Sequence, residues 1–456
     1  MIDLIKIYNA FDADKPLPAN DDARYVDLSE VRGDSKISRK LVQRIKNAPL
    51  WSSHHLLMGH TKCGKTTELN RTARLLEEEG YITVVFDVAE VATRTFEYTT
   101  VLLLMAGQIV DQLSRRGVPV EGVTAKKLAD FLLDKEITLG GQLSADATGK
   151  VEAKVAPGFL MRLLGEFGIG LELRGGYQRS REMTVKIEAD TRGFLEAIKA
   201  IVQDAVAKVL EADFKGLVVI CDGCDKLEVS ATDEQGRTRD LQLSMFIDHG
   251  PDLRSVPCHV IYTVPISIQA NLGDTWEQSP EFVPAIPVNK LPGIDDKYAE
   301  AGRRALGQVV SQRLHQHGVT VDQILAQPEL IDELIAVSGG HISDLILLVR
   351  DAVLEAQTDG ANMVEDRHIR RSIRSRAREY TRLIQSAYLE TLVTIDEFKT
   401  AQSDSNENRE LIFKRLALEY ACGIDTRVDL HPLVAASDAY RRYRNPVVDE
   451  TQTEKS

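Results

Sequence analysis

The residues best placed to do chemistry form one short run, Gly59-His60-Thr61-Lys62-Cys63-Gly64-Lys65-Thr66, with the spacing G-x-x-x-x-G-K-[ST]. Two glycines so spaced let the backbone curl until successive N–H groups point at one anion. A helix opening at the end of the run adds the partial positive charge of its N-terminus. In such a loop Lys65 would reach the β- and γ-phosphates of ATP, and the Thr66 hydroxyl would ligate Mg²⁺. The expected binding residues are Gly59, His60, Thr61, Lys62, Cys63, Gly64, Lys65, Thr66 and Thr67, with Lys65 also catalytic. Cys63 inside the loop implies that alkylation would block nucleotide sterically where the site is open to solvent.

A phosphate loop needs a partner carboxylate at the end of a neighbouring strand. Leu217-Val218-Val219-Ile220-Cys221-Asp222 supplies an apolar run that surfaces in Asp222, which would hold Mg²⁺ through water and act in catalysis. Gly223 follows where many such ATPases carry the glutamate that activates water, so Asp225, one turn on, is the candidate for polarising the attacking water. Cys221 and Cys224 spell C-x-x-C, but no second cysteine or histidine pair is placed to complete a zinc site. A cysteine ending a buried strand also serves as a small apolar residue.

Several elements must position these groups. The apolar run His55–Met58 reads as a strand before the loop, Thr66–Glu79 as a helix with Leu69, Ala73 and Leu76 on one face, and Ile82–Asp87 as a second strand. Strand, helix, strand predicts a parallel sheet covered by helices on both faces. Lys215–Cys221 and Cys258–Val264 read as two more buried strands. Helices are expected over Ile37–Lys46, Tyr98–Arg116, Ala125–Lys135, Arg192–Leu210, Asp296–His317, Pro328–Val337, Ile342–Ala356 and Val364–Ser386. The first residues, up to Pro18, read as polar and turn-rich. Leu416–Cys422 and Arg427–Leu430 look like a hairpin.

Composition bounds the rest. The chain has 456 residues, 43% hydrophobic, with a formal net charge of −13, enough for two to four domains of ~100–200 residues. That balance excludes a globally basic nucleic-acid coat. The longest apolar run, Val101–Ala106, is far short of the ~20 residues a bilayer span needs. The N-terminus lacks the pattern of a signal peptide, and five scattered cysteines argue for a reducing, cytoplasmic setting.

With these motifs in place, the chain resembles the AAA+/STAND branch of P-loop ATPases, particularly the origin-recognition-like and signalling ATPases, over roughly residues 20–385. Val26-Asp27-Leu28-Ser29-Glu30-Val31-Arg32-Gly33 looks like that family's upstream box, which implies that Arg32 contributes to nucleotide binding. Asp222-Gly223-Cys224-Asp225-Lys226 is similar to its D-[DGE]-x-D-[KR] acidic motif. Tyr262-Thr263-Val264-Pro265 looks like the sensor strand, with Thr263 placed to feel the γ-phosphate and counted as catalytic. Ser338-Gly339-Gly340-His341-Ile342-Ser343-Asp344-Leu345 resembles the turn that opens the lid helix. Many members carry an arginine a few positions after those glycines; this chain has His341 and Ser343, a departure that bears on γ-phosphate sensing by the lid. His341 is open to nucleotide contact or, more in keeping with such turns, to capping. Arg313 is one of several candidates for a trans-acting arginine. Leu389–Tyr443 looks like a degenerate winged helix.

The resemblance implies an α/β fold: a P-loop NTPase core with a parallel sheet, then a helical lid and a winged-helix-like C-terminal domain. The expected boundaries are an ATPase domain over 1–290 with an insertion at about 136–191, a lid over 291–385, a winged-helix-like domain over 386–443, and a disordered tail over 444–456. It further implies an ATP-binding and ATP-hydrolysing switch that forms a homo-oligomer and acts with a partner effector protein, in bacterial stress signalling or antiphage defence.

Two features stand apart. The insertion carries the apolar stretch Phe159–Phe167 beside Arg174, Arg179, Arg181 and Lys186, and so long an excursion reads as a partner- or subunit-contacting element. Arg367, Arg370, Arg371, Arg374, Arg376, Arg378 and Arg382 fall on one helix, opposed there only by Asp366 and Glu379. Nucleic-acid phosphate binding is the sharp reading of that helix; a solvated helix pairing with acidic neighbours is the plainer one, favoured by the absence of interleaved aromatics. Two alternatives follow: a DNA-binding replication or transposition factor, and, because Gly223 replaces glutamate, a nucleotide-binding scaffold with little hydrolysis.

Overall fold

The computed structural model describes residues 3–33, 35–48, 52–90, 96–120, 124, 128, 190–232, 236–273, 275–291, 295–400, 405–422 and 425–445. The helix expected over Ala125–Lys135, apart from residue 128, the excursion through residue 189 and the tail from 446 onward lie outside the described residues. Nine strands occur among the described residues: β1 Ser53–Gly59, β2 Ile82–Asp87, β3 Leu217–Asp222, β4 Ser230–Thr232, β5 Thr238–Asp240, β6 His259–Pro265, β7 Glu281–Val283, β8 Ala417–Cys422 and β9 Asp425–Leu430.

Five of them form one sheet in the order β2-β3-β6-β1-β7. The apolar runs that marked β3 and β6 in the sequence are buried along their whole length, as strands covered on both faces must be. β2 and β3 pair in parallel with Asp87 opposite Asp222, and β3 pairs in parallel with β6 with Cys221 opposite Tyr262. Two carboxylates thus end adjacent strands in register. β7 is only three residues long and gave no signal in the sequence.

The chain divides into two compact units, Met1–Ile37 with Met58–Arg71 and Phe282–Ser456, and Ser38–Leu57 with Thr72–Glu281. In the second, helices Tyr98–Arg115 and Thr191–Glu211 accompany β2 and β3. β2 is the sheet edge, and Gln112 caps it: its side-chain amide donates to the Val85 carbonyl at 2.8 Å and accepts from the Val85 N–H at 3.3 Å. At Val85 the free groups of the edge strand are thus occupied, which blunts the edge at that point.

The unit that carries the phosphate loop has a helical core. The first residues, expected as turns, instead form helix Leu4–Ala10, with Asp3 accepting from the Ile5 and Lys6 N–H groups as N-cap. Leu4, Ile7 and Phe11 enter one apolar cluster with residues of Asp296–His315, Leu330–Val337, Ile342–Thr358 and Asp366–Leu383. The helix is two turns long, too short for periodicity to reveal, and tertiary packing sustains it. Next come helices Leu389–Phe398 and Asn406–Phe413, the antiparallel hairpin of β8 and β9 with Ala417 opposite Leu430, and two short helices. A second cluster, including Tyr380, Leu392, Leu411, Leu430 and Val434, binds this segment together.

Helix Asp296–His315 offers a direct test of this packing. A Cβ added at Gly302 would stand 1.9 Å from the Pro287 carbonyl oxygen, whereas one added at Gly307 on the same helix meets nothing within 4 Å. Gly302→Ala should therefore destabilise by about 2 kcal/mol or more, and Gly307→Ala should stabilise by roughly 0.5–1 kcal/mol. Thermal unfolding of the two variants checks the contrast; equal shifts would contradict the close approach of Gly302.

Candidate nucleotide-binding site

The phosphate loop leaves β1 at Gly59 and enters helix Lys65–Glu78. Gly59 and Gly64 both have positive φ, 152° and 106°, and a Cβ at Gly59 would lie 2.5 Å from the Val283 carbonyl oxygen. Lys65 is 4% exposed, and its ammonium folds back onto the loop, donating to the Gly59 and His60 carbonyls at 2.9 and 2.7 Å. Cys63 is buried, and its thiol points to the Val283 carbonyl at 3.5 Å. The expected block by alkylation therefore meets a thiol that is shut away from solvent.

Donors from distant parts of the chain hold the loop from outside. Arg32, 4% exposed, donates to the Cys63 carbonyl at 2.6 Å and stands 4.0 Å from Glu68. Tyr25 donates to the same Glu68 carboxylate at 3.3 Å, and Lys62 pairs with Asp14 at 2.6 Å. His341 caps helix Ile342–Thr358, where Nδ1 accepts from the Asp344 N–H, and its Nε2 donates to the Thr61 carbonyl at 2.9 Å. Of the two readings of His341, the structure shows the cap, and the same ring also reaches the loop backbone. His60 is fully buried, and its Nε2 accepts from the backbone N–H of Glu419 in β8 at 2.8 Å. Burial, with His341 and Lys65 nearby, pushes His60 well below the usual imidazole range, so the ring is neutral.

Beside the loop lies a buried polar cluster that sequence reasoning missed. Asp344 Oδ2 accepts from Tyr380 at 2.7 Å and from Arg415 at 3.3 Å, lies 2.8 Å from His341 Nδ1, and has His431 Nε2 at 3.5 Å. Burial alone would raise the Asp344 carboxyl, but His341 and Arg415 outweigh it and hold the group well below the usual carboxylate range. Among the described residues Arg32 Nε, His60 Nδ1, Ser343 Oγ and Asp344 Oδ1 are buried without a hydrogen-bond partner. Arg32 Nε, His60 Nδ1 and Ser343 Oγ can each donate to an anion, whereas Asp344 Oδ1 can only accept.

The acidic motif is built separately. Asp222 ends β3, 4% exposed, and accepts from the Gly223 N–H at 2.7 Å. Gly223 has φ 80°, and a Cβ there would stand 1.9 Å from Asp87 Oδ1. The room that a glutamate at 223 would take is therefore used by Asp87, from the end of β2. Asp87 pairs with Lys226 at 2.7 Å. Asp225 is 4% exposed, in the turn Cys224–Lys226. Thr263 is fully buried, and its hydroxyl accepts from the Cys224 N–H at 3.1 Å, so it braces the acidic turn. Cys221 and Cys224 are buried with their sulfurs 3.4 Å apart, and no group of three or more metal-ligating side chains occurs among the described residues. Arg313 is 8% exposed and donates to the Val309 carbonyl, which removes it as a trans-acting arginine.

No protein-family model and no curated protein matches the chain. Among solved structures it is similar to a Walker-type ATPase of Pyrococcus abyssi at 14% identity, over 95% of this chain and 99% of that one, with a TM-score of 0.41. It is also similar to the ORC2 protein of Aeropyrum pernix at 12% identity, 96% of each chain and a TM-score of 0.42. A third is Cdc6p from Pyrobaculum aerophilum, at 11% identity, 92% of this chain, 98% of that one and a TM-score of 0.36. The fold itself, α/β with a parallel sheet and a phosphate loop, is read from this chain's own strands. No helix among the described residues is long and apolar enough to cross a membrane.

Glu419 supplies a pH test of the contact between β8 and the loop. Burial raises its carboxyl to about 7, above the value in an unfolded chain. The folded state therefore binds the extra proton between those two values, and stability falls as pH rises through that window. Glu419→Gln should be more stable than the parent at pH 8, by up to about 3 kcal/mol, with the difference gone near pH 4.5. Thermal melts across that range check it; a constant difference would place Glu419 in water.

Proposed function

We propose that the chain binds ATP in the loop Gly59–Thr66 and hydrolyses it as a nucleotide-dependent switch. The observation that carries this reading is the loop itself, set between a buried parallel strand and a helix N-terminus, with Lys65 inside it. Lys65 would exchange its two loop carbonyls for phosphate oxygens, a replacement of like by like for an ammonium. Thr66 and Asp222 are the residues proposed to hold Mg²⁺, which when bound would offset the charge of the phosphates. Asp225 remains the sequence candidate for polarising water, and Asp87 joins it because it fills the room beside Gly223. Thr263 serves by bracing the turn that carries Asp225. Self-association, a separate effector protein and a role in bacterial antiphage defence extend the proposal from the sequence resemblance, as does the division into ATPase, lid and winged-helix-like domains.

Nucleotide binding and turnover by the parent and four variants test it. Lys65→Ala should weaken ATP binding by tenfold or more, on the order expected for a lost charged contact. Asp222→Asn should keep binding and lower turnover roughly 100-fold. Between Asp87→Asn and Asp225→Asn, the variant with the larger loss of turnover at unchanged binding names the polarising carboxylate. A parent chain that binds no ATP ends the proposal, and one that binds without turnover reduces it to the scaffold reading.

One observation favours nucleic acid as a second reading. On helix Asp366–Leu383, Arg367, Arg370, Arg371 and Arg376 are paired, with Glu365 and Asp359, Asp366, Asp359 and Glu355, and Asp351 and Glu379 respectively. Arg374, Arg378 and Arg382 are exposed at intervals of four, with no ion pair among the described residues. That stripe would meet phosphates without breaking existing pairs. Under this reading, replacing all three with alanine weakens duplex binding at least about tenfold at 0.15 M salt, while Arg371→Ala changes it little. Fluorescence anisotropy reads both, and no binding at micromolar protein leaves the switch reading alone.

A further inference from the structure

The helix opened by His341 lacks an arginine in its first turn, yet a guanidinium stands beside that turn. It belongs to Arg415, more than seventy positions away, in the link between helix Asn406–Phe413 and β8. Arg415 Nη1 lies 3.4 Å from His341 Nδ1 and 3.3 Å from Asp344 Oδ2, and the other nitrogen of His341 is bonded to the Thr61 carbonyl of the phosphate loop.

Three features mark this side chain as held in readiness rather than fixed. Its contacts, at 3.3 and 3.4 Å, are longer than the 2.7 Å bond that Tyr380 makes to the same Asp344 oxygen. It is 24% exposed, where the Asp344 and His341 side chains are at 1% and 0%. Its backbone has φ 61°, a left-handed conformation that disfavours a residue with a Cβ. The turn ends a helix in the manner usually given to glycine, with the Leu416 N–H on the Leu411 carbonyl and the Arg415 N–H on the Ile412 carbonyl. An arginine kept where glycine would be easier suggests a use for the guanidinium.

We propose that Arg415 is the phosphate-reading residue of this site: with ATP in the loop it exchanges its long contact to Asp344 for a terminal phosphate oxygen and carries nucleotide state to the β8–β9 hairpin. The proposal rests on ATP binding at Gly59–Thr66. Asp344 keeps the Tyr380 hydroxyl after the exchange, so the buried carboxylate is not left bare. ADP, lacking the terminal phosphate, leaves Arg415 on Asp344. The hairpin is tied to the loop independently through the Glu419 N–H on His60, so a shift of Arg415 bears on a segment already in contact with the phosphate loop.

The test measures dissociation constants for ADP and a slowly hydrolysed ATP analogue with the full chain, its Arg415→Ala and Arg415→Lys variants, and Arg415→Gln in case alanine impairs folding. Arg415→Ala should weaken the analogue by about tenfold or more and ADP by less than about threefold, with Arg415→Lys between. Hydrogen exchange in residues 405–422 should slow on addition of the analogue in the parent and not in Arg415→Ala. Equal loss for both nucleotides, or none, in whichever of the alanine and glutamine variants folds would overturn the assignment. If the parent binds neither nucleotide, the nucleotide-binding reading falls and this one with it. If the parent binds and the variants match it, only the role of Arg415 falls.

Discussion

A carboxylate buried in the first turn of a helix must be neutralised by its surroundings, and the unit holding the phosphate loop is organised around that demand at Asp344. Left unpaired, such a group would cost several kcal/mol. Here one oxygen gathers Tyr380, His341 and Arg415, from two helices and the link before β8. The helix N-terminus favours the same negative charge. The result fixes the ring of His341, and through it the position of the Thr61 carbonyl. A structural ion cluster therefore also sets the backbone of a functional loop.

A second constraint governs the acidic motif. Gly223 is required twice over, by its left-handed backbone and by the Asp87 oxygen that occupies the space of a side chain. Replacing glutamate with glycine at this position is then not a simple loss of an acid. It is one half of an exchange in which the neighbouring strand brings its own carboxylate to the same sheet edge, in register with Asp222. Lys226 pairs with Asp87 there and offsets part of the added negative charge.

What the sequence disclosed follows from the range of the interactions. The phosphate loop, the strand ending in Asp222 and the long amphipathic helices depend on neighbours a few positions away, and among the described residues they stand within three residues of their expected places, as with Ile37–Lys46 and Ile82–Asp87. Helix Leu4–Ala10 and strand β7 were not legible, because distant packing and pairing decide elements that short. Arg415 and Asp87 escaped for the same reason, since their spatial partners are remote in sequence and no motif marks either. The arginine-rich helix was half legible: its charge was plain, but Asp359, Glu355 and Asp351, which neutralise part of it, lie on or just after the preceding helix.

The contacts around the loop also explain how a flexible glycine-rich run can be ready for an anion. A trans peptide group is planar, so its C=O and the following N–H point in opposite directions. His341 holds the Thr61 carbonyl and Arg32 holds the Cys63 carbonyl, both from residues outside the loop. Fixing those two carbonyls outward turns the N–H groups of Lys62 and Gly64 the other way. Donors oriented before a ligand arrives need no reorganisation when it does, which is where preorganised electrostatics gains its advantage over water. The glycines give the loop its shape, but side chains from an upstream segment and a distant helix decide which way its donors face. Residues that never touch a phosphate can thus govern how well the loop binds one.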